Sequence, residues 1–421
     1  MDTTEYMDGF AAFIQASPSS YHAAHEVARQ LSEAGFQELK EEDAWGAPAK
    51  AYVIRDGAII AWVTPDQVAT TSPVRVVGTH TDSPGFKLKP QSTIGSHGWL
   101  QVGVEVYGGP MLNSWLDREL ELSGRLVTKD GTQHLVRTGP FMRIPQLAIH
   151  LDRSVNEALT LDKQRHTTPV FGIGSVEDAD VLGYLASLAG VEAKDVAGYD
   201  IISTDTQDPR RFGKDNTLFA AGRMDNLSSV YAGLVALLNA PEEADHISML
   251  AAFDHEEIGS ETRSGACGPF LEDVLARVYD GLGASLEESA RAMALSWCIS
   301  SDAGHSVHPN YGERHDPNVR PLAGNGPMLK INANQRYATD GVGAALWVRS
   351  CEKAGVPTQD FVSNNTSPCG STIGPLTATR LGIRSVDVGI PLISMHSARE
   401  MCHVDDVVFL SRAMEAFYQG A

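Results

Sequence analysis

Six residues able to bind a metal or move a proton stand at the ends of apolar runs or at a helix start, between positions 80 and 396. The run Val74-Arg75-Val76-Val77-Gly78 leads into Thr79-His80-Thr81-Asp82-Ser83. Ile247–Phe253 leads into Asp254-His255-Glu256-Glu257-Ile258-Gly259, and Ala294–Ile299 into Ser300-Ser301-Asp302. Arg384–Ile390 is followed, after a loop, by Ser394-Met395-His396-Ser397, and Asp225 precedes a helical stretch over Leu227–Leu238. Two imidazoles and several carboxylates suit a divalent ion, zinc first, with cobalt or manganese as substitutes. Their number suits two ions sharing a carboxylate about 3.5–4 Å apart, an arrangement that catalyses hydrolysis. An acid that does not ligate is then free to act as a base. Asp82, two residues from His80, can orient that imidazole through its other nitrogen. Taken singly, each residue has a plainer reading: His80 a polar loop residue, Glu256-Glu257 a solvated face, Asp225 a helix N-cap. Their joint placement after separate apolar runs carries the argument.

Elements must bring these positions together. The runs at 51–63, 74–79, 247–253, 294–299 and 384–390 read as buried strands. Helical stretches are read over 8–35, 227–238, 271–278 and 286–293, and within 336–353. Strands alternating with helices predict an α/β fold, a mostly parallel sheet covered by helices. In such a sheet the strand C-terminal ends share one edge, where sites form. His80, Glu256, Glu257, Asp302 and His396 then lie along one rim, and Asp225 joins from a helix start. The texture differs in the middle of the chain. Leu100–Tyr107 and Leu120–Val127 alternate, and Lys129-Asp130-Gly131-Thr132 signals a hairpin turn before His134–Val136. The expected organisation is a catalytic domain formed by residues 1–92 and 216–421, interrupted by a β-rich insert at 93–215.

The chain has 421 residues and a net charge of −20, from 33 basic and 53 acidic residues. That balance argues against a nucleic-acid partner, which needs a basic footprint. The longest apolar stretches, Ala58–Val63 and Val230–Leu238, fall far short of the ~20 residues that span a bilayer, so no membrane partner is expected. Five cysteines without a C-x-x-C pair, and an acidic start with no apolar run, point to the cytoplasm.

The collinear stretches are specific. They include Gly78-Thr79-His80-Thr81-Asp82-Ser83-Pro84, Trp115-Leu116-Asp117-Arg118-Glu119-Leu120 and Arg223-Met224-Asp225-Asn226. They continue with Phe253-Asp254-His255-Glu256-Glu257-Ile258-Gly259-Ser260, Ser301-Asp302-Ala303-Gly304-His305 and Met395-His396-Ser397-Ala398-Arg399-Glu400. Through them the chain resembles the M18 metallopeptidases, the aspartyl aminopeptidase family. The resemblance implies a zinc exopeptidase-like α/β domain with an inserted dimerisation domain and two zinc ions per subunit. It implies that Asp225 bridges them, that His80 and Asp302 complete one site, and that Glu257 and His396 complete the other. It makes Glu256 the general base; the residues alone leave the roles of Glu256 and Glu257 interchangeable.

The resemblance also implies peptide substrates with a free N-terminus, acidic N-terminal residues among them, bound by His305 and Lys330. It has His150, in the insert, reach the neighbouring subunit's site, and it implies a homo-oligomer, a dimer or a tetrahedral dodecamer. The competing readings are an M42-type or neutral-specificity aminopeptidase and a non-catalytic assembly protein on the same fold. A serine hydrolase is disfavoured because no G-x-S-x-G elbow occurs.

Overall fold

Alternating apolar strands build a sheet with two buried faces. The computed structural model describes residues 2–421. Its nine-stranded sheet runs Gln37–Glu38, Lys50–Arg55, Ala58–Val63, Ile247–Phe253, Val74–His80, Trp297–Ser301, Arg384–Gly389, Met328–Lys330, Gln359–Phe361. The four central strands, from Ile247–Phe253 to Arg384–Gly389, are mutually parallel. They are flanked by antiparallel neighbours at Ala58–Val63 and Met328–Lys330. This is the mostly parallel α/β sheet that the sequence predicts.

Strand side chains alternate between the faces. Ile59, Ala61, Val63, Val77, Leu250 and Ala252 join one core with the helices Thr3–Ala16, Ser20–Glu33, Met224–Leu238 and Val404–Tyr418. Ile60, Trp62, Val74, Val76, Met249 and Ala251 join a second core with the helix Phe270–Gly281. Two buried faces explain why these strands read as continuous apolar runs.

Several element boundaries differ from the sequence reading. The stretch 8–35 is two helices, because Pro18 lacks the N–H that a continuous helix needs and Ser19 caps the second by accepting from His22 N. The strand read at 294–299 begins at Trp297; Ala294 and Leu295 instead end the helix Leu286–Leu295. The helix Val404–Tyr418 has no counterpart in the sequence reading and packs Val407, Leu410, Met414 and Phe417 into the first core.

The second sheet has seven strands, ordered Val196–Asp205, Gly85–Ser96, Trp99–Tyr107, Val170–Ile173, Met142–Arg143, Glu119–Thr128, Gln133–Arg137. Pairing of Val196–Asp205 with Glu119–Thr128 closes it into a barrel. Phe86, Leu88, Val102, Leu120, Leu122, Leu126 and Ile201 fill its interior, beside the helix Val181–Leu188. Its first strand, Gly85–Ser96, spans the boundary read between residues 92 and 93. Only residues 81–84 separate this strand from the core strand Val74–His80, so no linker composition marks the passage.

Close approach of two strand ends positions the rim. A Cβ on Gly389 would lie 1.7 Å from the Asp302 carbonyl oxygen. Gly389→Ala must therefore push the Asp302 backbone aside. Such overpacking costs about 1–3 kcal/mol, to be read as a lowered denaturation midpoint; an unchanged midpoint would show that the strand ends can separate freely.

Candidate metal centre

The register places the strand ends level. Phe253 pairs with His80, Ser300 with Gly78, and Ser301 with Val388. His80 thus ends one strand, while Glu256, Glu257 and Asp302 follow its two neighbours directly. His80 Nε2 lies 3.4 Å from Asp225 Oδ1 and 3.5 Å from Asp302 Oδ1. His396 Nε2 lies 3.4 Å from Asp225 Oδ2 and 3.4 Å from Glu257 Oε2. The two oxygens of Asp225 therefore face two different histidines.

These separations are longer than the ~2.7–2.9 Å of a charge-assisted hydrogen bond. They match the roughly 3.3 Å edge of a tetrahedron whose centre sits about 2.0–2.1 Å from nitrogen and oxygen ligands, the dimensions of a zinc site. Asp225 Oδ1 and Glu257 Oε1 are buried without a hydrogen-bond partner. The donor set and its unsatisfied oxygens fit a dication. Ligand atoms of His80, Asp225 and Asp302 lie within 4.8 Å of one another, as do those of Asp225, Glu257 and His396. His80, Glu256 and Glu257 also meet that limit, so proximity alone does not separate the two glutamates.

Neighbours hold these groups in place. Asp82 accepts from Glu256 N at 3.0 Å, from Glu257 N at 3.2 Å and from the Tyr107 hydroxyl at 2.8 Å. The His80 Nδ1 lies 3.0 Å from the Asp82 carbonyl oxygen and 3.4 Å from its carboxylate. The His80 ring thus meets Asp82 mainly through the main chain. His396 Nδ1 meets the Gly109 carbonyl at 2.9 Å. Tyr107 and Gly109 come from the end of a barrel strand, so both sheets frame the cluster. Sequence reasoning misses these framing residues: Tyr107 and Gly109 lie at and just beyond the end of the alternating stretch Leu100–Tyr107, and the buried Glu400 closes the stretch Met395–Glu400.

Burial and like charges set the electrostatics. Burial opposes ionisation of Asp225, but His396 and His80 hold its carboxyl well below the usual range. Burial pushes Glu256 up to about 7; His80 opposes the rise, while Asp302, Asp82 and Asp225 add to it. Burial, with the Asp225 charge next, raises Glu257 well above the usual value. Burial, then Asp225, pushes Glu400 up to about 8. Burial works against protonation of His396, yet Asp225 and Glu257 raise it to about 10. Crowded acids of this kind are stabilised by a bound cation.

The cluster opens into a cleft of about 270 Å³ lined by Asp225, Glu256, Glu257, Asp302, His305 and Lys330, among others. Lys330 is 2% exposed and donates to the Ala303 carbonyl at 2.7 Å. Its Nζ stands 3.7 Å from Asp302 Oδ2 and 5.3 Å from the Tyr337 ring centre. His305 also lines an adjoining cavity of about 320 Å³, together with His308, Arg314 and His315. The structure does not bring His150 to the cluster within the chain: it is exposed in the insert and lines neither cavity.

Fold and site together define a metal-dependent hydrolase. The family model for aminopeptidase I zinc metalloproteases (M18) matches residues 13–418. A probable M18 family aminopeptidase 2 of Streptomyces avermitilis is 51% identical over 422 residues, covering 99% of this chain and 98% of the relative. A solved complex of Ape4 and Nbr1 aligns with a TM-score of 0.95 at 33% identity, over 99% of this chain and 86% of that one. The dodecamer of S. cerevisiae mApe1 aligns with a TM-score of 0.86 at 30% identity, over 98% of this chain and 96% of that one. The chain belongs to the M18 family. It is a metallo-aminopeptidase, and the family's metal is zinc.

The Asp82 carboxylate accepts three hydrogen bonds at once, from Glu256 N, Glu257 N and the Tyr107 hydroxyl. Asp82→Ala is expected to weaken zinc binding by roughly 10–100-fold, the usual effect of removing a partner of metal ligands. A competitive zinc titration that gives wild-type affinity would contradict this placement.

Proposed function

We propose that the chain hydrolyses single N-terminal residues from peptides, using two zinc ions per subunit and preferring acidic N-termini. The observation that carries the reading is the Asp225 carboxylate, shared between a His80–Asp302 set and a Glu257–His396 set. Zinc held there supplies Lewis acidity and lowers the pKa of water to about 7. Glu256 lines the same cleft and takes no part in the pairings around His396. Beside His80 and open to the cleft, it suits a base that takes a proton from the attacking water and returns it to the leaving amine. The carboxylate-rich wall favours a substrate that brings a free ammonium, which limits cleavage to the first residue.

The support for acidic specificity is Lys330 and His305 on the cleft wall, and an adjoining cavity lined by Arg314 but by no aspartate or glutamate. A second reading, neutral or broad specificity, draws on the bond Lys330 already makes to Ala303 and on its proximity to Asp302. We propose a catalytic domain from the two ends of the chain, read from the sequence as 1–92 and 216–421, and a dimerisation domain read as 93–215, whose barrel reaches back to Gly85. Exposed Leu147, Ile149 and Leu151 flank His150 there, which suits burial against a second copy and a reach into its site. The dodecamer formed by the yeast relative supports a homo-oligomer of that order. No described helix is long and apolar enough to cross a membrane; together with the cysteine pattern this supports a cytoplasmic peptidase without membrane or nucleic-acid partners.

Glu256→Gln should retain zinc, measured by atomic absorption, while kcat falls by the roughly 10²–10⁴-fold that general-base catalysis contributes. Normal turnover in a zinc-loaded variant would remove Glu256 from the base role. Lys330→Leu should lower kcat/KM on N-terminal Asp and Glu substrates by roughly 10–100-fold, the worth of a hydrogen bond to a charged group. Equal losses on alanyl and aspartyl substrates would favour the second reading.

A further inference from the structure

Glu400 opens the short strand Glu400–His403, which pairs with Leu218–Ala221 so that Ala221 stands opposite Glu400. Glu400 is 2% exposed. Its Oε2 accepts the main-chain N–H of Asp225 at 3.0 Å, and its Oε1 accepts that of His396 at 2.9 Å. Both oxygens therefore serve the backbone of residues that face one another as ligands. Those segments need an external hold, since His396 sits at φ 63° and Arg223, two residues before Asp225, at φ 61°. Left-handed backbone at a non-glycine residue persists only where its surroundings over-determine it. His80 is supported elsewhere, by Asp82.

We propose that Glu400 is a positioning residue for His396 and for the shared ligand Asp225, and that it therefore sets the zinc affinity of the Glu257–His396 set more strongly than that of the His80 set. The inference rests on the two-zinc reading. Chemistry explains why a carboxylate is needed: a glutamine keeps one acceptor oxygen, but its amide N–H₂ would confront the second backbone N–H. One of the two segments would lose its tether, with little change in side-chain volume.

The test is an equilibrium zinc titration against a chelating indicator, on intact wild type, E400Q, H396A and H80A. Wild type is expected to show two binding classes. E400Q should weaken by roughly 10–100-fold the class that H396A also loses, and weaken the class that H80A loses by a clearly smaller factor, since Glu400 reaches that class only through Asp225. A folded E400Q with both classes unchanged, or with both weakened equally, overturns the assignment. Should E400Q not fold, E400D keeps the charge but reaches only one N–H; it should weaken the same class, and wild-type affinity in E400D overturns the proposal. A single class in wild type overturns the two-zinc reading instead, and Glu400 is then judged on whether E400Q weakens that class.

Discussion

Five acidic side chains, Asp82, Asp225, Glu256, Glu257 and Asp302, meet at one sheet edge with few cations among them. Such a cluster repels itself, and much of it is hidden from water. Folding must supply the work of assembling it, because the acids do not attract one another. The supply comes from the two apolar cores that clamp the sheet from both faces. Rigid, level strand ends then hold the acids where a flexible loop would let them separate.

Hydrogen bonds from the main chain complete the frame. Asp82 gathers the N–H groups of Glu256 and Glu257, so two adjacent acids are presented with fixed backbones. The backbone of His255, just before them, is left-handed at φ 63°. That turn lets the chain leave the strand Ile247–Phe253 and expose both glutamates to one cleft. The barrel is part of the same frame, through Tyr107 on Asp82 and Gly109 on His396.

Much of this was legible in the sequence, and the reasons are specific. Ile247–Phe253 and Val74–His80 are buried on both faces, so their apolar runs announce both strand and strand end. The acids that follow were legible as a rim for the same reason. Tyr107, Gly109 and Glu400 were not legible as framing residues. Their roles depend on which loop of the barrel meets which loop of the sheet, and no local pattern encodes that meeting. The passage from the sheet to the barrel is not legible in the sequence, because residues 81–84 suffice to make it. His150 has an exposed position that a single chain leaves without a partner surface.

The barrel's bonds to the cluster bear on the order in which the molecule matures. The two segments that build the nine-stranded sheet flank the barrel in the chain, so most of the second is synthesised only after the barrel strands. His396 comes last of the cluster residues, and its ring is aimed by a carbonyl from the insert. The centre therefore exists only once the N-terminal segment, the insert and the C-terminal segment have all docked. A chain whose barrel has not docked lacks the carbonyl that aims His396, so the cluster is incomplete by that one contact.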